Sequence, residues 1–248
     1  MRGLKNAGAV AVMMLVRGVL LNAQMIPTPA QHFPGPNEGK RPAGWMVRAD
    51  SAGSSKDTLL LVNKAPGWYI KSGPAALVWT PRDAAHGTFT ATALLYLGPP
   101  RPADPVGYGM FFGGQNLNAP TASYFEFLIR NDAKFSVLKH AGGKNMIVKD
   151  WTLLAGIGQH AGKRDHIQRN VLRIVAEPQM VTFIVNRVVA ITLPRKDVDA
   201  DGEFGIRIGV GQELQVDEMG VERHRPPTKL APIPAAKPKV IPPKTDGK

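Results

Sequence analysis

Cysteine is absent from all 248 residues, which excludes disulfides, thiolate metal sites, thiol nucleophiles and a lipid anchor on an N-terminal cysteine. A domain of this size can be held by its core alone, so the absence is compatible with a secreted or periplasmic protein. Also missing is any uncharged apolar run of about 18 residues, the length a membrane-spanning helix needs. No long segment carries helical periodicity. Acidic residues are few: 19 Asp and Glu stand against 31 Lys and Arg, for a formal charge of +12. That surplus gathers at the ends. Arg2, Lys5 and Arg17 begin the chain, and Arg225, Lys229, Lys237, Lys239, Lys244 and Lys248 face only Asp246 at its close. The body between them shows no basic stripe of the kind that neutralises a phosphate backbone, which argues against a nucleic-acid partner.

What is present at the two ends differs from the middle. Residues 1–24 place Arg2 and Lys5 before the apolar run Ala7 to Val16, with a candidate cleavage position after Ala23. That is the layout of a signal peptide, although Arg17 interrupts the apolar stretch and Leu21 is large for its place. Residues 25–43 form a Pro-rich lead-in, and residues 224–248 a basic tail rich in Pro and Lys. Neither has the periodicity to pack, so both ends are expected to be disordered, with polyproline II character. The tail is read as a solvated end or as a cationic tether to an anionic envelope.

Between residues 44 and 223 the dominant pattern is two-residue alternation in short runs separated by Gly, Pro, Asn and Asp. Strands are expected at Thr58–Asn63, Ala75–Trp79, Thr88–Leu97, Gly107–Gly113, Ser123–Arg130 and Lys134–Lys139. Further ones are expected at Val171–Ala176, Met180–Val185, Val188–Leu193, Phe204–Gly209 and Gln212–Asp217. Asn131-Asp132 and Asn186-Arg187 are expected to close hairpins, because Asn tolerates a left-handed backbone. The stretch 140–170 reads as loop-rich. Many short strands with regular turns make an all-β sandwich the natural class.

The order of these runs, YFEFLIRNDAKFSVLKHAGG, then NVLRIVAEPQMVTFIVNRVVAITL, then DGEFGIRIGVGQELQVDEMGV, resembles the secreted concanavalin A-like lectin/glucanase superfamily. Within it, the nearest likeness is to laminin-G-like and keto-disaccharide-hydrolase-like domains. The matching pieces are Arg130-Asn131-Asp132, the strand opening at Asn170, the Val185-Asn186 turn and Gly202-Glu203-Phe204-Gly205-Ile206. The resemblance implies a jelly-roll β-sandwich of two antiparallel sheets, with carbohydrate bound or cleaved on a sheet face. The glucanase branch sets alternating acids, Glu-x-Asp-x-(x)-Glu, along one strand, so that two carboxylates flank a glycosidic bond. No such run occurs here, which speaks against that mechanism.

Several residues are candidates for a site. Tyr124, Glu126, Leu128 and Arg130 share one strand face, offering a ring, an acceptor and a forked donor suited to a saccharide. Phe125, Phe127 and Ile129 share the other face and belong to the core. A Glu126–Arg130 pair on a solvent face is the plainer reading of the first set. Tyr96 and Tyr108 would extend that surface if their strands join the same sheet. Asp197, Asp199, Asp201 and Gly202 spell D-x-D-x-D-G, the opening of a calcium loop, but Ile208 stands where a closing Glu belongs. Glu213, Gln215 and Asp217 alternate on the last strand. His140, His160 and His166, with Asp150 and Asp165, fall in or beside the loop-rich stretch, where Trp151 covers either a ligand or the core.

Three functions remain open at this point. The first is a non-catalytic exported sandwich that binds carbohydrate or a cell-surface ligand. The second is a glycoside hydrolase, and the third is a structural or adhesive envelope protein. None requires a cofactor; calcium is the ion the acidic loop suggests, and the His/Asp cluster suits zinc or acid–base chemistry, although its spacing matches no metal motif.

Overall fold

The computed structural model describes residues 41–50, 59–98, 105–158 and 167–224. The leader expected over 1–24, the expected lead-in up to residue 40, the expected tail from 225, and His160, Asp165 and His166 lie outside the described residues. Fourteen strands run in chain order: β1 Met46–Ala49, β2 Leu60–Lys64, β3 Gly67–Lys71, β4 Ala76–Ala85, β5 Phe89–Leu97, β6 Tyr108–Gln115 and β7 Ser123–Ile129. Then come β8 Lys134–Ala141, β9 Lys144–Leu153, β10 Gln168–Ala176, β11 Met180–Val185, β12 Val188–Pro194, β13 Gly202–Ile208 and β14 Glu213–Arg223. They form two seven-stranded sheets, ordered β1-β4-β13-β6-β7-β8-β9 and β12-β11-β10-β5-β14-β3-β2. Every pairing is antiparallel. Late strands sit between early ones, β13 between β4 and β6, and β14 between β3 and β5. This is a jelly-roll β-sandwich. Among the described residues, no helix is long and apolar enough to cross a membrane.

Alternation writes the core. In β5, Phe89, Ala91, Ala93, Leu95 and Leu97 are buried while the residues between them are partly exposed. From the first sheet, Phe112, Phe125, Phe127, Ile129 and Ile206 enter the same core as Leu172, Ile174, Phe183 and Leu214 of the second. The rings meet across the gap: Phe183 lies 5.6 Å from Phe112 and 5.1 Å from Phe127, centroid to centroid. Small Ala91 and Ala93 leave room for such large side chains, as dense packing requires.

Turn chemistry explains two connections. Asn186 and Arg187, with φ of 49° and 73°, form the two-residue turn between β11 and β12, whose twist matches that of the strands. At the β7–β8 hairpin the left-handed position is Ala133, with φ of 60°, rather than Asn131 or Asp132. The stretch expected to be loop-rich instead opens with the ten-residue strand β9, whose edge position leaves Met146, Ile147 and Leu153 exposed.

Two expected surface tyrosines are elsewhere. Tyr108 is buried at 0% exposure and belongs to a polar network inside the core. Its hydroxyl donates to Gln168 Oε1 at 3.0 Å and accepts from Asn170 Nδ2 at 3.0 Å. Asn170 Oδ1 accepts from Gly158 N–H at 3.1 Å and from Asn186 Nδ2 at 2.7 Å. Asn186 closes the chain by donating to the Gly156 carbonyl and accepting from Val171 N–H. Tyr96 lies on β5, in the second sheet, so it does not extend the surface around Tyr124.

Candidate functional site

The outer face of the first sheet is not a solvent face. A second apolar cluster, separate from the core, unites Leu77, Trp79, Phe111, Leu117, Ala122 and Tyr124. Pairing register creates it: Trp79 on β4 and Phe111 on β6 both lie opposite Gly205 of the intervening β13. A Cβ on Gly205 would sit 2.8 Å from both Phe111 Cε1 and Trp79 Cβ, so glycine is what lets these rings close over β13. Phe111 is edge-on to Trp79 at 6.1 Å and to Tyr124 at 6.0 Å. Tyr124 in turn stacks on His140 of β8, 4.5 Å away and 13° from parallel. The result is a row of rings crossing the sheet, with geometries that aromatic quadrupoles favour.

Charge is set beside that row. Glu126, opposite Phe111, is only 1% exposed. Arg207 reaches it from β13, with Nε 2.9 Å from Oε1, and His140 Nε2 lies 3.1 Å from Oε2. Arg207 also grips Asp50 with both terminal nitrogens, Nη1 donating to Oδ1 at 2.6 Å and Nη2 to Oδ2, the two-pronged pairing a planar guanidinium makes best. Burial opposes the Arg207 charge, but the hydrogen bonds to Asp50 and the charges of Glu126 and Asp50 outweigh it, so its pKa is raised. The Arg207 contact to Glu126 is a charge contact without an aligned hydrogen bond. Glu126 Oε1, His140 Nε2 and Trp79 Nε1 are all buried without a directed hydrogen-bond partner. Leaving such groups unmatched is costly, and three share this face.

Burial pushes the Tyr124 phenol up to about 12, with the Glu126 charge adding to the effect. An unfolded tyrosine titrates at about 10, so the folded state holds the proton more tightly. This stabilisation is complete below about pH 10 and is lost as pH rises through about 12. Stability measured by urea unfolding is therefore expected to fall across that window, with a shallower fall in Tyr124→Phe. Part of the fall should persist, because burial also raises the pKa of Tyr108. An equal fall in the variant would exclude Tyr124 as a source.

The β6–β7 connection forms the lip of the site. Arg48 of β1 donates through Nη1 to the Leu117 and Ala119 carbonyls, holding Leu117 against the ring row. Beyond Leu117 opens a 580 Å³ cleft whose polar lining includes His86, Gln115, Asn116, Asn118 and Glu203.

Of the residues expected from sequence, Tyr124 and Glu126 come together here, and His140 joins them. Arg130 does not pair with Glu126. It makes a two-pronged contact with Asp132, at 3.0 and 2.6 Å, and stacks on Trp151 with Cζ 4.2 Å from the ring centroid. Trp151 thus covers neither the core nor this site. Nor do Asp197, Asp199 and Asp201 converge as calcium ligands. Asp201 is bound by Arg195 at 2.6 Å, and Asp199 accepts from the Asp201 N–H. Among the described residues, no group of three or more His, Asp or Glu side chains is placed to hold a metal. Glu213 pairs with Lys71 at 2.8 Å, and Gln215 is buried and donates to the Lys64 carbonyl. A bulge between Val216 and Glu218 then breaks their alternation with Asp217. Trp79, Phe111, Asp50 and Arg207 were not singled out from sequence, although the alternation Ile206-Arg207-Ile208 marks Arg207 as facing away from the core.

The chain is similar to the solved carbohydrate binding module CBM66 from Bacillus subtilis, at 11% identity and a TM-score of 0.50, over 72% of this chain and 95% of that one. It is also similar to the Emp47p carbohydrate recognition domain, at 10% identity and a TM-score of 0.44, over 75% and 91%. The laminarinase catalytic domain from Thermotoga maritima matches at 13% identity and a TM-score of 0.43, over 69% and 82%. At these identities the likeness is one of fold. No protein-family model and no curated protein sequence matches the chain.

Proposed function

We propose that this protein is a non-catalytic saccharide-binding sandwich, with Tyr124, Glu126, His140 and Arg207 on the outer face of the first sheet as its recognition set. The observation that carries the reading is the row of rings with Trp79 Nε1 left without a partner and Glu126 held by Arg207 and His140 in contacts that are not aligned hydrogen bonds. It combines an acceptor, a donor and a nitrogen that plays either role with its tautomer. Sugar hydroxyls both donate and accept, so they complement such a set. The adjoining cleft continues the surface for a longer chain, and its volume is within the usual range for ligand sites. The fold shared with a carbohydrate binding module supports the same reading.

A glycoside hydrolase is the alternative. It needs two carboxylates free to act across the bond, whereas Glu126 and Asp50 are both engaged by the single Arg207. Binding is therefore preferred over cleavage. Export through the leader completes the proposal, and the mature protein would then begin at Gln24, as N-terminal sequencing can establish.

Titration calorimetry of the full chain against neutral oligosaccharides is expected to identify a binding class. Glu126→Gln, which keeps shape and removes charge, should weaken that binding by about tenfold or more. Chromatography of the same mixtures should show intact saccharide. Affinity unchanged in Glu126→Gln would remove the site from this face, and released product would turn the reading to the hydrolase.

A further inference from the structure

The outer face of the second sheet carries a different chemistry. Register places Arg169, Val171 and Arg173 of β10 opposite Tyr96, Leu94 and Thr92 of β5. Buried Asn170 and Leu172 alternate with them, so both arginines project away from the core. They stand four residues apart, roughly 13 Å along the strand. The β11–β12 turn brings Arg187 and Asn186 into the same 500 Å³ hollow as Arg169 and Arg173. A second hollow of 580 Å³ continues from those two arginines over Thr90 and Thr92.

All three arginines are exposed, and among the described residues none of their guanidinium groups has an ion-pair or hydrogen-bond partner. Four other described arginines are used internally: Arg130, Arg195 and Arg207 each grip an aspartate, and Arg48 binds two carbonyls. The acids on this face, Glu218 and Glu222 of β14, line the far side of the second hollow and not the first, and pair with none of the three. Three uncompensated cations around one hollow repel one another and favour an anion that spans them.

We propose that this hollow binds an extended anionic polysaccharide carrying carboxylates, a site separate from the saccharide face of the first sheet. Guanidinium forks match carboxylates in two-pronged geometry. Val171 and Leu94 provide an apolar floor between the charged rows for the C–H faces of sugar rings, and Thr92 offers a partner for hydroxyls. A single-stranded nucleic acid fits less well, because Tyr96 is the one aromatic side chain on β5 and β10 facing this way and stacking platforms need several.

The test is biolayer interferometry of the full chain against immobilised polygalacturonate at low and physiological salt, with dextran as the neutral comparison. Binding to polygalacturonate that weakens with salt, and none to dextran, is expected. Arg169→Ala/Arg173→Ala/Arg187→Ala should lose about tenfold or more in affinity. The charge-matched variant Arg82→Ala/Lys144→Ala/Lys196→Ala should bind as the parent does, which separates the hollow from net charge and from the basic tail. Glu218→Gln/Glu222→Gln should tighten binding, an arm that reads a gain and so does not depend on a damaged fold. The proposal is overturned if polygalacturonate does not bind, or if the two triple variants lose affinity equally. Single-stranded DNA binding more tightly, and failing in the same arginine variant, would assign the hollow to nucleic acid instead.

Discussion

Replacing Arg207 with Met is expected to lower the free energy of unfolding by about 3–5 kcal/mol, the cost typical of removing one partner from a buried ion pair. The reason lies with Glu126 more than with the arginine. Its carboxylate is 1% exposed and has Arg207 on one oxygen and His140 on the other. Methionine fills much of the same volume but supplies no charge, leaving the carboxylate facing a thioether and the rings of Tyr124 and Phe111. Asp50, by contrast, is 43% exposed, so Asp50→Ala should cost under about 1 kcal/mol, as exposed pairs do. The double variant Arg207→Met/Glu126→Gln discriminates between causes. If the penalty is an uncompensated buried charge, the double variant should recover a large part of the loss. If it is lost packing, the double variant should be no better than Arg207→Met. Urea unfolding of the parent, both single variants and the double variant yields the coupling directly.

That arrangement also shows what a linear reading can reach. Alternation within SYFEFLIR separates Phe125, Phe127 and Ile129 from Tyr124 and Glu126 without any knowledge of partners, and the structure keeps that division. A strand exposes only one column of a sheet-borne site, however. Trp79, Arg207, Phe111, Glu126 and His140 come from β4, β13, β6, β7 and β8, adjacent strands of one sheet of which only β6, β7 and β8 also follow one another in the chain. No spacing rule connects Arg207 to Glu126. His140 was grouped with later histidines because its pairing with Tyr124 exists only in register. Asp50 follows β1, whose four residues are too few to show a period. β9 was hidden for a related reason: it is an edge strand with apolar residues exposed, so the contrast between its faces is weak. Tyr108 was misplaced because glycines flank it, and alternation cannot be read where neighbouring side chains are absent.

The core network offers a second large effect. Asn170→Leu, close in size and with no polar atom, is expected to destabilise the protein by about 4 kcal/mol, from buried groups left without partners at about 1–3 kcal/mol each. Asn170 is 0% exposed, so water cannot easily substitute for it. The change removes the acceptor for Gly158 N–H and for Asn186 Nδ2, and the donor to the Tyr108 hydroxyl. Asn186 is the sensitive neighbour. It holds a left-handed backbone at the β11–β12 turn, with φ of 49°, and its side chain ties that turn to β10 and to the Gly156 carbonyl. Loosening it should reach the Arg187 hollow as well as the core. Tyr108→Phe is a milder cut, expected to cost about 2 kcal/mol, because it orphans Gln168 Oε1 and Asn170 Nδ2 while Asn170 keeps its bonds to Gly158 and Asn186. In the double variant the two costs should sum to less than their total, since the Tyr108–Asn170 bond is removed by either change. Strict additivity would mean that the bond contributes nothing. A loss below 1 kcal/mol in Asn170→Leu would mean that the network relaxes around leucine and does not organise this end of the sandwich.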